Sequence, residues 1–208
     1  MPFRLLRHTQ WPALLFACAA SACGSSKPPT MDAFIAATVQ DTTSGGTCNV
    51  NASTSILAVG EVTDPTQKPT TVSNGGTDDG GGAVTLSCSV TPSSNGGFDV
   101  QLRAEQTGLG GGSVTIMGTI SGMGTGDMVS ADFSNPMVGT YSQDDCTLSY
   151  TFDGGPLPLM AGDPAVAGGR IWAHVDCPMA QDTEQTTGNG VLTCSAQADI
   201  LFENCSGS

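Results

Sequence analysis

The chain has 208 residues, of which 28 are Gly and 12 are Pro, so long regular helices are not expected. Lys and Arg number 6 against 19 Asp and Glu, a formal net charge of −13; this argues against a nucleic-acid partner and against electrostatic docking on anionic lipid, both of which need a basic patch. The hydrophobic fraction of 38% still allows a core, and the length suits one domain.

Residues 1–23 carry a positive start at Arg4 and Arg7, then a short apolar run from Trp11 to Ala20 that ends in small residues. This is the pattern of a secretory signal, too short to span a bilayer as an ordinary anchor helix. Its close, Ala20-Ser21-Ala22-Cys23-Gly24-Ser25-Ser26, resembles the lipobox of bacterial lipoproteins. The resemblance covers only these first two dozen residues. It implies cleavage after Ala22 and a thioether-linked diacylglycerol on Cys23, which would anchor the protein to a membrane. Gly24, where Asp would mark inner-membrane retention, points to the bacterial outer membrane, with a periplasmic or secreted location as the alternative. Two other readings of the segment are lipid on Cys18, after Leu15-Phe16-Ala17, and an ordinary signal-peptidase site at Ala20-x-Ala22. Loss of residues 1–22 removes Arg4 and Arg7 and no acid, leaving −15, a charge that favours a soluble monomer.

From 23 to 46 the chain reads as a lipidated N-terminus and flexible tether, with Lys27-Pro28-Pro29 favouring an extended spacer. Within it Met31 to Val39 is apolar enough for a strand or a single helix, a choice the sequence leaves open. The folded domain is expected over 47–208. Ser53 to Val62 is a weak strand candidate. Val84, Leu86, Cys88 and Val90 then alternate with polar residues, as do Phe98, Val100, Leu102 and Ala104. These two runs flank a turn containing Asn95-Gly96-Gly97 and predict an antiparallel hairpin. Ser-Asn-Gly-Gly also occurs at 73–76, which reads as the same turn chemistry used twice. Thr107 to Gly126 is twenty residues without a charge, but eight are Gly. It is read as one strand, around Val114 to Ile120, between two turns. Val129 to Phe133 is another weak strand, followed by Cys146 to Phe152, Ile171 to Cys177 and the long run Leu192 to Phe202. About eight or nine short strands with polar turns predict an all-β fold, an antiparallel β-sandwich of jelly-roll type stapled by disulfides. An outer-membrane barrel would show aromatic girdles, and aromatics are only 5% of the chain.

Six cysteines remain after Cys18 and Cys23: Cys48, Cys88, Cys146, Cys177, Cys194 and Cys205. In an exported chain an even set implies three disulfides, and no CxxC or CxH spacing suggests zinc. Cys146 and Cys177 both sit in phase with the apolar side of their strands and are expected to pair. Cys194 and Cys205 lie along one strand, roughly 35 Å apart if extended. They are expected not to pair unless that strand breaks, with Asp199 as the place for a bend.

The familiar routes to chemistry are absent. The mature chain has one histidine, His174, and no Gly-x-Ser-x-Gly, HExxH, P-loop or dinucleotide fingerprint. No cofactor is implied. A pair of carboxylates acting on a glycan stays open among 19 acids. Asp78-Asp79 and Asp144-Asp145 are acidic enough to suggest calcium, but no EF-hand pattern accompanies them, and they read as solvated loops. The outstanding surface is Arg170, Trp172, His174 and Asp176 on one side of a single strand. It is either a ligand patch with Trp172 as a stacking platform, or a face covered by the 154–169 loop or a second sheet. The expected function is a lipid-anchored, non-enzymatic structural or binding module of the cell envelope, its partner an envelope protein or glycan. The alternative is a secreted or anchored carboxylate-dependent hydrolase directed at glycans.

Overall fold

The structure is a computed structural model. It describes residues 28–41, 48, 50, 52–78, 80–108, 110–122, 125–152, 155–156, 164–187 and 190–206. The signal segment 1–22, Cys23, Asp79 and most of the 154–163 stretch lie outside the described residues.

Every regular element among the described residues is a strand: β1 (Asp32–Gln40), β2 (Thr54–Val59), β3 (Val72–Ser73), β4 (Val84–Pro92), β5 (Phe98–Gln106), β6 (Ser113–Ile120), β7 (Thr125–Asn135), β8 (Gly139–Ser149), β9 (Thr151–Phe152), β10 (Gly155–Pro156), β11 (Val166–Ala167), β12 (Arg170–Thr187) and β13 (Gly190–Glu203). Eleven of them form one antiparallel sheet in the order β2-β1-β13-β12-β8-β7-β6-β5-β4, with β3 beside β1 and β11 beside β12. The separate pair is β9 with β10. The protein is thus all-β, and its two layers are opposite walls of one sheet rolled until nearly closed into a barrel.

Alternation produces this shape. In β4 the residues Val84, Leu86, Cys88 and Val90 are buried, while Thr85 and Ser87 between them are exposed. β5 repeats the pattern in register, with Val84 opposite Gln106 and Pro92 opposite Phe98. The expected hairpin is present, and its turn places Gly96 and Gly97 at φ 85° and 81°. The walls bring Ile35, Ile56, Leu102, Ile116, Phe133, Leu148, Ile171 and Phe202 into a common interior, each almost fully buried.

The seam is closed by backbone outside the ladder. Along the outer edge of β4, Gly75 N–H donates to Val84 O (2.8 Å), Val84 N–H to Gly76 O (2.9 Å) and Leu86 N–H to the Asn74 side chain (2.9 Å). Farther along, Val90 N–H donates to Ser206 O (3.2 Å), Ser206 N–H to Cys88 O (3.1 Å) and Gly169 N–H to Val90 O (3.0 Å). The β2 edge is met by Asn135, a buried amide whose Nδ2 donates to Ile56 O (3.0 Å) and Gly110 O (3.3 Å). Its Oδ1 accepts from Met137 N–H (2.9 Å), so a polar group inside an apolar wall has its partners.

Three disulfides link Cys48 to Cys194, Cys88 to Cys205 and Cys146 to Cys177. Cys146 and Cys177 pair as the strand phase required, with Cα atoms 4.4 Å apart, the spacing of residues opposite each other on neighbouring strands. Cys194 and Cys205 stay apart, and the break between them is at Asn204 rather than Asp199. Asp199 lies within the continuous β13, whereas Asn204 has φ 57°, which returns Cys205 to the interior and to β4.

The expected tether over 23–46 is too long. β1 occupies Asp32–Gln40 and is inside the sheet, paired on one side with β13 and on the other with β2 and β3. Ala33, Ile35, Ala37 and Val39 fill the interior, so the apolar run that composition placed in a linker is core. The start of the domain therefore moves from 47 to about Asp32.

Candidate functional site

The outer surface of β12 carries the four residues singled out in the sequence. Arg170, Trp172, His174 and Asp176 do project to that one side, because Ile171, Ala173, Val175 and Cys177 between them are buried inside. Neighbouring strands extend each position into a row. Trp172 is opposite Leu201 of β13, which is in turn opposite Phe34 of β1. His174 lies between Asp199 of β13 and Ser149 of β8. Asp176 lies between Gln197 and Thr147.

The Trp172 row is closed. Phe34, Trp172 and Leu201 form a small apolar cluster on the outside of the sheet, with Val62, Tyr150 and Ala165 packed over it. At 1% exposure the Trp172 ring cannot be a stacking platform, and the ligand patch as expected is corrected on that point. The cover comes from the segment after β2 and from residues beside β8 and β11. Lys68 of the first segment pairs with Glu203, and Arg170 Nε is 3.6 Å from the same carboxylate. Arg170 is thus part of the fastening.

The His174 row stays half-open. His174 Nδ1 lies 2.8 Å from Asp199 Oδ1, and the two side chains are 24% and 21% exposed. Ser149, the last residue of β8, is the cross-strand partner of His174 on the side away from β13 and is half-buried. Beside it the β7–β8 ladder shifts between Thr125 and Asp127, leaving Gly126 as the bulged residue at φ +99°. Among the described residues, nothing lies within 4 Å of where a Cβ on Gly126 would be.

Next in the chain, Tyr150 donates its hydroxyl to Asp127 Oδ2 (2.9 Å), which also accepts from Ser121 Oγ (3.0 Å). Burial by itself would raise the Asp127 pKa, but hydrogen bonds from Ser121, Tyr150 and Gly122 outweigh it and hold the carboxyl below its ordinary range. Tyr150 moves the opposite way: burial, then the bond to Asp127 and its charge, push the phenol well above its usual value. The cluster is a clamp that holds Tyr150 over Trp172.

The acidic loops are less organised. Asp78 uses its oxygens within the fold, accepting from Gly60 N–H (3.2 Å) and Gln106 Nε2 (3.3 Å). Asp144 and Asp145 edge a polar hollow of about 260 Å³ with Gln143 and Gln181. Among the described residues no group of three or more His, Cys, Asp or Glu is arranged to hold a metal. A larger cavity of about 690 Å³ lies where the chain enters the domain, lined by Pro28, Pro29, Met31, Arg170, Glu203 and Asn204 among others.

Comparison with family models, with curated proteins and with solved structures gives no match. The site is therefore described by its own residues. The sequence marked His174 but not the two residues that flank it. Ser149 and Asp199 have the outward phase of their strands, which alternation shows, but their neighbours in space depend on a strand order that alternation does not carry.

Proposed function

We propose that the chain is a lipid-anchored protein of the bacterial cell envelope, exported by residues 1–22, held in the outer membrane through Cys23, and acting there as a structural or binding module. The observation that carries this reading is the lipobox-like Ala20-Ser21-Ala22-Cys23 set directly ahead of a domain stapled by three disulfides. Such bonds persist outside the cytoplasm and are compatible with an exported, non-cytoplasmic protein. The geometry suits an anchor. Eight residues, 24–31, separate Cys23 from the first strand, a reach of about 30 Å when fully extended. A domain on so short a leash stays beside the membrane that holds it, with the pole containing Asp32, Asn204 and the 690 Å³ cavity nearest the lipid.

Intact mass of the exported protein tests the proposal. The expected species begins at Cys23 and carries a diacylglyceryl group, and Cys23→Ser releases the protein from the membrane fraction. An unmodified Cys23 at the N-terminus overturns the anchor and leaves export standing.

A further inference from the structure

We propose that Met117, Met128, Met137 and Met179 are a reversible oxidant trap: surface thioethers that small two-electron oxidants such as hypochlorous acid convert to sulfoxides, and that a thiol-dependent sulfoxide reductase restores, with no change of fold. This goes beyond the anchoring function and does not rest on it.

The distribution of one side chain is inverted. Methionine ordinarily belongs to the interior, where its flexible chain fills gaps. Among the described residues the buried core contains no methionine. Met117, Met128, Met179 and Met137 are instead 44%, 52%, 57% and 82% exposed. They are also the whole of the exposed large apolar surface, since no Leu, Ile, Phe, Trp or Tyr with a described side chain is exposed. A contact surface for a partner would carry aromatic side chains as well, so the property singled out is the sulfur rather than apolarity.

Their positions give no other reason for methionine. Met117 lies between Gln101 of β5 and Ser130 of β7, and Met128 is opposite Thr147 of β8. On the same side of β6, the neighbouring positions hold Thr115 and Thr119, residues that suit a strand. Met137 is in the turn closed by Val138 N–H donating to Asn135 O (3.0 Å). Met179 is at the register shift between Cys177 and Ala180, where its N–H donates to Gln143 Oε1 (2.8 Å) and its side chain edges the hollow beside Asp144 and Asp145. Strands β12, β8, β7 and β6 are successive in the sheet, so the four thioethers are spread over one wall. Other sulfur is withheld: Cys48, Cys88, Cys146, Cys177, Cys194 and Cys205 are in disulfides, and Met31 is partly buried against the core. Met123 and Met160 lie outside the described residues.

The step balances without a cofactor. A lone pair on Sδ attacks the chlorine of hypochlorous acid; an S–Cl bond forms as the Cl–O bond breaks, and hydroxide leaves. Water adds to the chlorosulfonium sulfur, chloride departs and two protons are lost, giving the sulfoxide. Sulfur is oxidised by two electrons, and chlorine is reduced to chloride. In the return step two thiols become a disulfide, and the sulfoxide oxygen leaves as water. At an exposed position the new S–O group faces solvent, whereas in a core it would be a buried polar group without a partner.

The test uses the disulfide-bonded mature protein, hypochlorous acid in stepwise doses, and the two epimer-specific methionine sulfoxide reductases with a thioredoxin couple. Peptide mapping should find sulfoxide at Met117, Met128, Met137 and Met179 at a dose that leaves Met31 a thioether. At that dose the melting midpoint should stay within about 2 °C of the untreated value, the scale of a surface change. The reductases should return all four side chains to thioethers. A variant combining Met117→Leu, Met128→Leu, Met137→Leu and Met179→Leu keeps the apolar volume and removes the sulfur. Its untreated melting curve establishes that it folds, and the same dose should then lower its midpoint as the oxidant turns to Met31 and the disulfides. Oxidation of Met31 as early as the four, a midpoint that falls as they are oxidised, sulfoxides that the reductases do not restore, or a variant that withstands the dose as well as the parent overturns the proposal. The first three readings need no variant.

Discussion

Asp127 and Tyr150 share a hydrogen bond that contributes to two opposite pH limits. The Asp127 carboxyl is held below its ordinary range despite partial burial, because Ser121, Tyr150 and Gly122 all donate to its charged form. Its contribution is therefore present above the usual aspartate pKa of about 3.9 and is lost as pH falls through the lower folded value. Tyr150 contributes with the opposite sense. The folded protein keeps this phenol protonated, while the unfolded chain ionises near pH 10, so stability declines as pH rises past that point. Tyr141 adds to the same limb, raised by burial and by the charges of Asp182 and Glu184. Denaturant midpoints measured from pH 3 to 11 should show both limbs. Tyr150→Phe should flatten the alkaline limb without abolishing it, since Tyr141 remains, and Asp127→Asn should flatten the acid one. Unchanged slopes in both variants would contradict this account.

Among the strands, the β4–β5 hairpin offers a controlled comparison, because Gly96 and Gly97 share a positive φ but not a neighbourhood. A Cβ on Gly97 would stand 2.1 Å from Ile120 O, whereas one on Gly96 meets nothing within 4 Å. Gly96→Ala should cost only the conformational strain, about 1 kcal/mol, and Gly97→Ala about 2 kcal/mol or more, as measured by urea unfolding. Equal costs would mean that the close approach is not felt. This hairpin was legible in the sequence, as were β6, β13 and the first half of β12, since each shows its core through alternation; β2 was only a weak candidate, because it buries the consecutive Ile56 and Leu57. β8 was read only from Cys146 onward. Its first half, Gly139 to Asp145, mixes buried Tyr141 with exposed acids, and a bulge opposite Ser130 breaks the phase. The second half of β12 was missed for the same reason: the register shifts between Cys177 and Ala180, across Pro178. Bulges are invisible to a period-2 pattern. The row of Ser149, His174 and Asp199 was hidden for another reason: β12 and β13 follow each other in the chain, but β8 lies beside β12 only through the sheet order.

At the scale of the molecule, the disulfides divide into one that reinforces neighbours and two that tie distant chain. Cys146–Cys177 spans 31 positions between strands already side by side, while Cys88–Cys205 spans 117 and crosses the seam between β4 and the residues after β13. Loop-closure entropy in the denatured chain assigns about 4 kcal/mol to the first and about 5 kcal/mol to the second. Cys88→Ala/Cys205→Ala should therefore lower stability more than Cys146→Ala/Cys177→Ala, and it should also open the seam, seen as faster amide exchange at Val90 and Ser206. Equal loss from both pairs, with exchange at Val90 unchanged, would show that backbone hydrogen bonding alone holds the seam.

The pairing of β1 with β13 has a consequence in time. Gln40 pairs with Ser195, 155 positions later, and Asp32 with Glu203. A chain delivered from its N-terminus through a pore presents β1 first and its long-range partner last. For nearly the whole delivery, Ala33, Ile35 and Val39 have no β13 to cover them, and one edge of that strand stands unsatisfied. Such non-local pairing makes assembly slow, because closure entropy must be met before the contact rewards it. If the chain is exported as proposed, its early segments must be kept from pairing with other chains until the late ones arrive, and the receiving compartment then needs a holdase as much as an oxidant.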